Sequence, residues 1–273
     1  MVVQHNLQAA NTNRMLSQNV KAVAKSTEKL SSGFGVNRAA DDAAGLSISE
    51  KMRNQIRGIN QAVKNSEDGI SAIQTAEGNL NEIHSILQRM GELSNKAAND
   101  INADEDRDAI KDEMTELQAE IDSIANKAQF NGTKLLDGSF TGKQLQVGAN
   151  AGENMQIDIA KMDTSGLSLA GASAIAVDSH SAAAATMSRV TNAIKTVSAA
   201  RSSLGAKQNR LEYTINNLKN YSENLTSAES QIRDTDMAAE MTNYTKNNIL
   251  QQAAQSMLAQ ANQSTQGVLS LLG

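Results

Sequence analysis

Histidines, cysteines and clustered carboxylates are where a polypeptide does chemistry, and this chain has few of them. The histidines are His5, His84 and His180. A metal centre inside a helix bundle uses a Glu three residues ahead of a His, but Val2, Asn81 and Val177 hold those positions. The string His-Glu-x-x-His, which sets two zinc ligands and a general base on one helix, does not occur. His84 falls instead on an apolar heptad seam, where a half-buried structural histidine is expected. Asp41 and Asp42 are adjacent carboxylates, yet adjacent residues on a helix do not face one another, and their place ahead of an apolar pattern suits helix capping. With no cysteine, disulfides, thiolate nucleophiles and thiolate metal sites are excluded together. No glycine loop of the phosphate-cradling kind is present. The sequence therefore predicts no catalytic residue, no cofactor and no metal site: not an enzyme, but a protein whose function resides in its surfaces.

The elements that would carry such surfaces are long helices. From Met187, steps of three and four give Val190, Ile194, Val197, Arg201, Leu204, Gln208, Leu211, Ile215, Leu218, Ser222, Leu225, Glu229 and Ile232, an unbroken heptad grid. A strict 3.5-residue period predicts a left-handed coiled-coil seam, and residues 187–232 as one helix would span about 69 Å. That is further than one small core reaches, so the helix needs partners along its length. Periodicity alone leaves open a self-contained bundle or a fibrous assembly. Aromatics are 2% of the chain and Trp is absent, so any core is built from Leu, Ile, Val, Met and Ala. Proline, which interrupts helices, is also absent, where average usage predicts about 14. A net charge of −5, with no basic run interleaved with aromatics, argues against nucleic acid as a partner. No apolar run approaches the roughly 18 residues of a membrane span. The opening Met1-Val2-Val3-Gln4-His5-Asn6 shows neither the basic nor the apolar region of a cleaved secretory signal.

In chain order, Val3, Leu7 and Ala10, then after a slip Leu16, Val20, Val23, Thr27 and Leu30, predict a terminal helix stopped at Gly33 and Gly35. Residues 36–42 read as an irregular spoke. A second helix, 43–98, holds the grid at Met52, Ile56, Ile59, Val63, Ser66, Ile70, Ile73, Glu77, Leu80, His84 and Leu87. Gly58, Gly69 and Gly78 interrupt it, at about 1 kcal/mol each relative to Ala, and so mark close contacts or bends. A third helix, 104–127, carries Ile110, Met114, Leu117, Ile121 and Ile124 on one face and folds back on the second. After Gly138 the period falls to two, and residues 143–160 predict a β-hairpin around a loop from Gly148 to Gly152. Two strands alone are marginal, so the hairpin should lie against the helices. Residues 163–181, rich in Ser, Ala and Gly, read as surface loop, and a helix over 182–232 follows. From 247 to 273 there is no Asp, Glu, Lys, Arg or His, while Leu250, Ala254, Met257, Leu258, Ala261, Val268 and Leu272 form an apolar stripe. A helix with so thin a stripe is marginal alone, so both charge-poor ends are expected to order only against other chains. A membrane-surface helix would need Lys or Arg on its polar face, and none is present.

Several long strings resemble one family. Leu30-Ser31-Ser32-Gly33, Val36-Asn37-Arg38-Ala39-Ala40-Asp41-Asp42-Ala43-Ala44-Gly45-Leu46, Lys64-Asn65-Ser66-Glu67-Asp68-Gly69-Ile70 and Phe130-Asn131-Gly132-Thr133-Lys134-Leu135-Leu136-Asp137-Gly138 are similar to the N-terminal region of bacterial flagellins. Leu204-Gly205-Ala206-Lys207-Gln208-Asn209-Arg210-Leu211-Glu212 and Ile232-Arg233-Asp234-Thr235-Asp236-Met237 resemble the C-terminal half. The resemblance covers nearly the whole chain and is weakest over 163–181.

What the resemblance implies is a mainly α fold, with long antiparallel helices forming a coiled-coil rod, a small β-hairpin and terminal helices paired as an inner coiled coil. It implies an inner domain of residues 1–42 and 233–273, a rod domain of residues 43–232, and no outer inserted domains. The function implied is self-assembly into the flagellar filament for swimming motility. The inner coiled coil, and with it polymerisation, then falls to Val3, Leu7, Leu16, Val20, Val23, Leu250, Ala254, Met257, Leu258, Ala261, Val268 and Leu272. The implied location is extracellular, in the filament, after export without a cleaved signal. Implied partners are further copies of the chain, an export chaperone, the type III flagellar export apparatus, hook-associated junction and cap proteins, and a host Toll-like receptor of innate immunity. The family's receptor surface maps onto Gln88, Arg89, Glu92 and Leu93, with Glu113 on the next helix. Gly91 where the family commonly has Arg, and Ser94-Asn95-Lys96 in place of a more apolar continuation, weaken that expected ligand. A hook–filament junction protein would resemble flagellins at its termini but usually differs in the middle, where the strings at 64–78 and 130–138 match. A secreted monomeric ligand or adhesin, using the 88–93 surface, is the alternative from another class.

Overall fold

The computed structural model describes residues 6–171 and 174–272, with side chains described through Ser264 of the last helix. The elements are α1 (Leu7–Ser32), α2 (Ala43–Ala97), α3 (Asp104–Lys127), β1 (Gln129–Phe130), β2 (Thr133–Lys134), β3 (Lys143–Gln146), β4 (Asn154–Ile157), α4 (His180–Arg233) and α5 (Met237–Leu272). They form two compact units: Ile56–Ser222, and the chain up to Gln55 together with that from Glu223 onward. The protein is mainly α, as its periodicity predicts, with two small antiparallel hairpins.

In the Ile56–Ser222 unit the heptad grid of α4 is buried or half-buried at every position from Val190 to Leu218. Its first grid residue, Met187, is exposed. Thr186 takes the inward place there, donating its hydroxyl to the Ala176 carbonyl at 2.8 Å. The second helix departs from a narrow seam. Ile73, Leu80 and Leu87 are buried on the grid, but so is a second row, Ala76, Ile83, Met90 and Ala97. The cause is that this part of α2 shares one core with both α3, through Ile110, Met114 and Ile121, and α4, through Val197, Leu204 and Leu211. A helix with two partners needs a wide apolar face. The polar grid residues Glu77 and His84 sit half-buried at its edge. Glu77 reaches Arg201 of α4 at 3.6 Å, and His84 Nε2 lies 3.2 Å from Gln88.

The hairpin of β3 and β4, with Lys143 opposite Ile157 and Gln146 opposite Asn154, lies on α2 where two glycines, three turns apart, leave room. A Cβ at Gly69 would meet Leu145 Cδ2 at 2.5 Å, and one at Gly58 would meet Ala149 Cβ at 3.0 Å. Asn65 ties the same face down by donating to the Gln146 carbonyl at 3.2 Å. Gly78 faces open space, so no close contact explains it. The smaller hairpin of β1 and β2 was not expected, although Asn131 and Gly132, with φ of 47° and 76°, are the dipeptide that favours a two-residue turn.

Residues 163–171 and 174–179 are not a surface loop, and 180–181 already belong to α4. Thr164, Leu167, Leu169, Ala174, Ile175 and Val177 are buried, and the segment is an irregular strap over the core. Asp122 of α3 holds it, accepting the Thr164 N–H at 2.9 Å and its hydroxyl at 2.8 Å. Arg107 closes the far end, donating to the Asp178 carbonyl at 3.1 Å and pairing with Asp100 at 3.2 Å. A strap without helix or strand geometry buries its apolar residues at uneven spacing, so no period announces it. Leu169→Ala is expected to lower stability by about 2–5 kcal/mol in urea unfolding, as for a core leucine. A surface-loop residue would change it by no more than about 0.5 kcal/mol.

Candidate functional site: the terminal helix pair

α1 begins where the Asn6 side chain caps it, accepting the Ala9 N–H at 2.9 Å, and ends at Gly33, whose φ of 77° is the left-handed stop that glycine adopts without strain. α5 begins under Asp236, whose carboxylate accepts the Ala238 and Ala239 N–H groups at 2.9 and 3.1 Å. The two helices pack on one another and run antiparallel. Asn6 Nδ2 donates to the Ala261 carbonyl at 3.1 Å, while at the other end Thr235 N–H donates to Gly33 O at 3.0 Å.

The shielded positions keep heptad spacing on both helices: Thr12, Leu16, Asn19, Val23, Ser26 and Leu30 on α1, and Glu240, Tyr244, Asn247, Gln251, Ala254, Leu258 and Ala261 on α5. Six of these thirteen positions are polar: Thr12, Asn19, Ser26, Glu240, Asn247 and Gln251. Of the positions expected in the inner coiled coil, Leu16, Val23, Ala254, Leu258 and Ala261 lie on it. Leu7, Val20, Leu250 and Met257 do not; all four are exposed, which corrects their placement in the seam. The grid through Leu16 and Val23 can take either Asn19 and Ser26 or Val20 and Thr27 as its alternate members, and the fold takes the polar choice. On α5 it likewise takes Asn247 and Gln251 and leaves Leu250 and Met257 outside. Met15, Met237, Met241 and Ile249 are exposed as well. Val3 lies outside the described residues, and Val268 and Leu272 lie past the last described side chain of α5.

A clasp joins the ends of the pair to the start of α2 and the end of α4. Phe34 and Asp234 form an antiparallel bridge, and Gly35 N–H donates to Arg233 O at 2.6 Å. The Arg233 guanidinium stacks 4.7 Å from the centre of the Phe34 ring and pairs with Glu50. The adjacent carboxylates divide their work. Asp42 caps α2, accepting the Ala44 and Gly45 N–H groups at 3.0 and 2.9 Å. Asp41 fastens the spoke, accepting the Asn37 and Arg38 N–H groups at 3.3 and 3.1 Å and pairing with Lys25 at 2.8 Å. The Lys25 ammonium and those backbone donors hold the Asp41 carboxyl below its ordinary value of 3.8, and Asp41 raises Lys25 above 10.5.

On the second unit, Gln88, Arg89, Glu92 and Glu113 share an exposed surface of α2 and α3. Arg89 bridges the helices, with Nε and Nη2 at 3.0 and 2.9 Å from Glu113 and Nη1 at 3.2 Å from Glu92. Leu93 is not part of that surface. It is 3% exposed and packed in the core. Four residues along a helix turn it about 40° past a full turn, enough to carry position 93 from the solvent edge at Arg89 to the buried side.

The family model for the bacterial flagellin N-terminal helical region matches residues 3–141, and that for the C-terminal helical region matches residues 187–272. The flagellin of Halalkalibacterium halodurans is 54% identical over 272 residues, covering all of both chains. The chain belongs to the bacterial flagellin family. The flagellin of Bacillus subtilis is 50% identical over 303 residues, again covering all of both. The crystal structure of Bacillus cereus flagellin is similar at 28% identity and a TM-score of 0.51, over 57% of this chain and 88% of that one. As a flagellin the chain is a structural protein of the flagellar filament, outside the cell, and not an enzyme.

In this flagellin the spoke has a pH dependence whose sign follows from Asp41 and Lys25. A carboxyl held below 3.8 contributes above that value and loses its contribution as pH falls through its own lower pKa. An ammonium raised above 10.5 contributes below that value and loses its contribution as pH rises through the higher one. Hydrogen exchange at the Asn37 and Arg38 amides, followed by NMR, should speed beyond its intrinsic pH dependence only below about pH 4 in acid. Asp41→Asn should abolish that acid-side change.

Proposed function

We propose that the chain reaches the filament as an unfolded subunit and polymerises there through its terminal helix pair. One observation carries the reading: a helix pair with polar residues at nearly half of its own seam positions turns Leu7, Val20, Leu250 and Met257 to solvent. Burying such a side chain completely is worth roughly 1.5–3 kcal/mol, so four of them supply on the order of 6–12 kcal/mol toward the ordering and association costs of joining a neighbour. Residues 1–42 and 233–273 act as the inner domain and 43–232 as the rod domain. The exposed, charge-free Gln252, Gln255, Ser256, Gln260 and Asn262 face a channel through which subunits of any charge pass with little adhesion. Contacts between neighbours are heterologous and do not close, which makes an open helical polymer. Export uses the flagellar type III apparatus and a chaperone, and junction and cap proteins of the hook-associated kind bound the polymer.

A second reading concerns the surface around Arg89. The grouping of Gln88, Arg89, Glu92 and Glu113 across two helices supports a site for a host Toll-like receptor, with Leu93 omitted and Gly91 and Ser94-Asn95-Lys96 weakening its signal.

The deciding experiment is assembly of the purified chain in a kosmotropic salt, which strengthens apolar burial, read by sedimentation and electron microscopy. Ordered filaments are expected, and amorphous precipitate alone would sink the reading. Leu250→Asn with Met257→Asn should leave monomer helicity unchanged by circular dichroism, because both residues lie off the seam. The pair should raise the critical concentration for filaments by about 100-fold or more.

A further inference from the structure

We propose that a second copy of this chain seats Ile101 in an apolar groove between α2 and the larger hairpin; the proposal rests on the subunit reading above and gives that polymer one specific head-to-tail contact. The groove holds about 280 Å³ and is lined by Ala72 of α2 with Phe130, Phe140, Leu145 and Ile157. That is slightly below the roughly 300–1,000 Å³ of small-molecule pockets and suits a single side chain. Two of the three phenylalanines of the whole chain stand in it, a concentration of aromatic surface found nowhere else among the described residues.

Ile101 is the complementary feature. It is 89% exposed, more than any other large apolar side chain described, yet the turn that carries it is well fastened. Asn99 Oδ1 accepts the Ile101 N–H at 3.3 Å, Asn102 Nδ2 donates to the Lys96 carbonyl at 2.6 Å, and Arg107 donates to the Asn99 carbonyl at 3.4 Å and pairs with Asp100 at 3.2 Å. A turn already ordered loses little freedom on docking. The groove rim carries both an exposed Asp68 and an exposed Lys143, so the apolar side chain and not its neighbour Asp100 carries the fit.

The position of the two features decides the partner. Ala72 and the end of α2 are about 40 Å apart along one helix, so Ile101 cannot fill the groove of its own chain. A knob and a hole at different points of one element make a heterologous contact that repeats without closing. Each copy gives Ile101 to one neighbour and receives it from another.

The chain has no cysteine, so paired substitutions report without background. Ile101→Cys combined with Thr133→Cys, a groove residue, is assembled into filaments and mildly oxidised. Non-reducing gels should show a ladder of linked chains, which each single variant cannot form because it has one thiol. Closure within a chain is excluded by the span, since a disulfide needs Cα atoms within about 7 Å. Ile101→Asp should keep the monomer's circular dichroism spectrum and raise the critical concentration about tenfold or more. Double-variant filaments that oxidise without a ladder, or Ile101→Asp filaments with an unchanged critical concentration, overturn this contact alone. Failure of the unsubstituted chain to form filaments overturns the subunit reading and this contact with it.

Discussion

Where α1 and α5 meet, the facing residues include Asn19 and Ser26 on one side and Asn247 and Gln251 on the other. Amides and hydroxyls gain little by leaving water for one another. The pair therefore holds by its apolar seam positions, Leu16, Val23, Leu30, Tyr244, Ala254, Leu258 and Ala261, while Leu7, Val20, Leu250 and Met257 stay in solvent. Two isolated helices of this kind lie near the margin of stability. Further apolar burial has to come from outside the pair, and a filament surrounds each subunit with copies carrying the same exposed residues.

The Ile56–Ser222 unit works the other way. It completes its core within one chain, where α2, α3, α4, the hairpin and the strap of 163–171 and 174–179 share one cluster. Its polar residues are fastened as well: Asp122 to the strap, Asp106 to the Ala103 N–H at 3.3 Å, Arg107 to the turn before α3. Such a unit buries most of its apolar residues within one chain, with Ile101 and the groove at Ala72 among the exceptions. The two units thus differ in degree, one covering most of its apolar residues internally and the other leaving more of them in solvent.

The carboxylates carry the same lesson about chemistry. Asp41, Asp42, Asp106, Asp122 and Asp236 each accept backbone N–H groups at a helix start or in a loop. They stabilise backbone turns rather than poise a proton or a nucleophile. The spacing of the histidines agrees with that, and the family places the function in assembly.

The lengths of α2, α3 and α4, the hairpin from 143 onward, the capping role of Asp42 and the lack of catalytic spacing were legible in the order of residues, because each follows from local periodicity or from a side chain acting on its nearest backbone; the length of α5 was not, because its apolar stripe is thin. Membership of the flagellins was legible in long strings such as those at 36–46 and 130–138. What only the tertiary structure decided is how many neighbours each element has. Periodicity counts apolar residues on a helix but does not say whether one partner or two will cover them, so the wide face of α2, the burial of Leu93 and the strap over the core could not be read in advance. Nor could the side of α1 that meets α5: Asn19 and Val20 lie on neighbouring rows of one helix, and only the packing of the two chains of backbone selects the polar row and leaves the apolar one to the assembly.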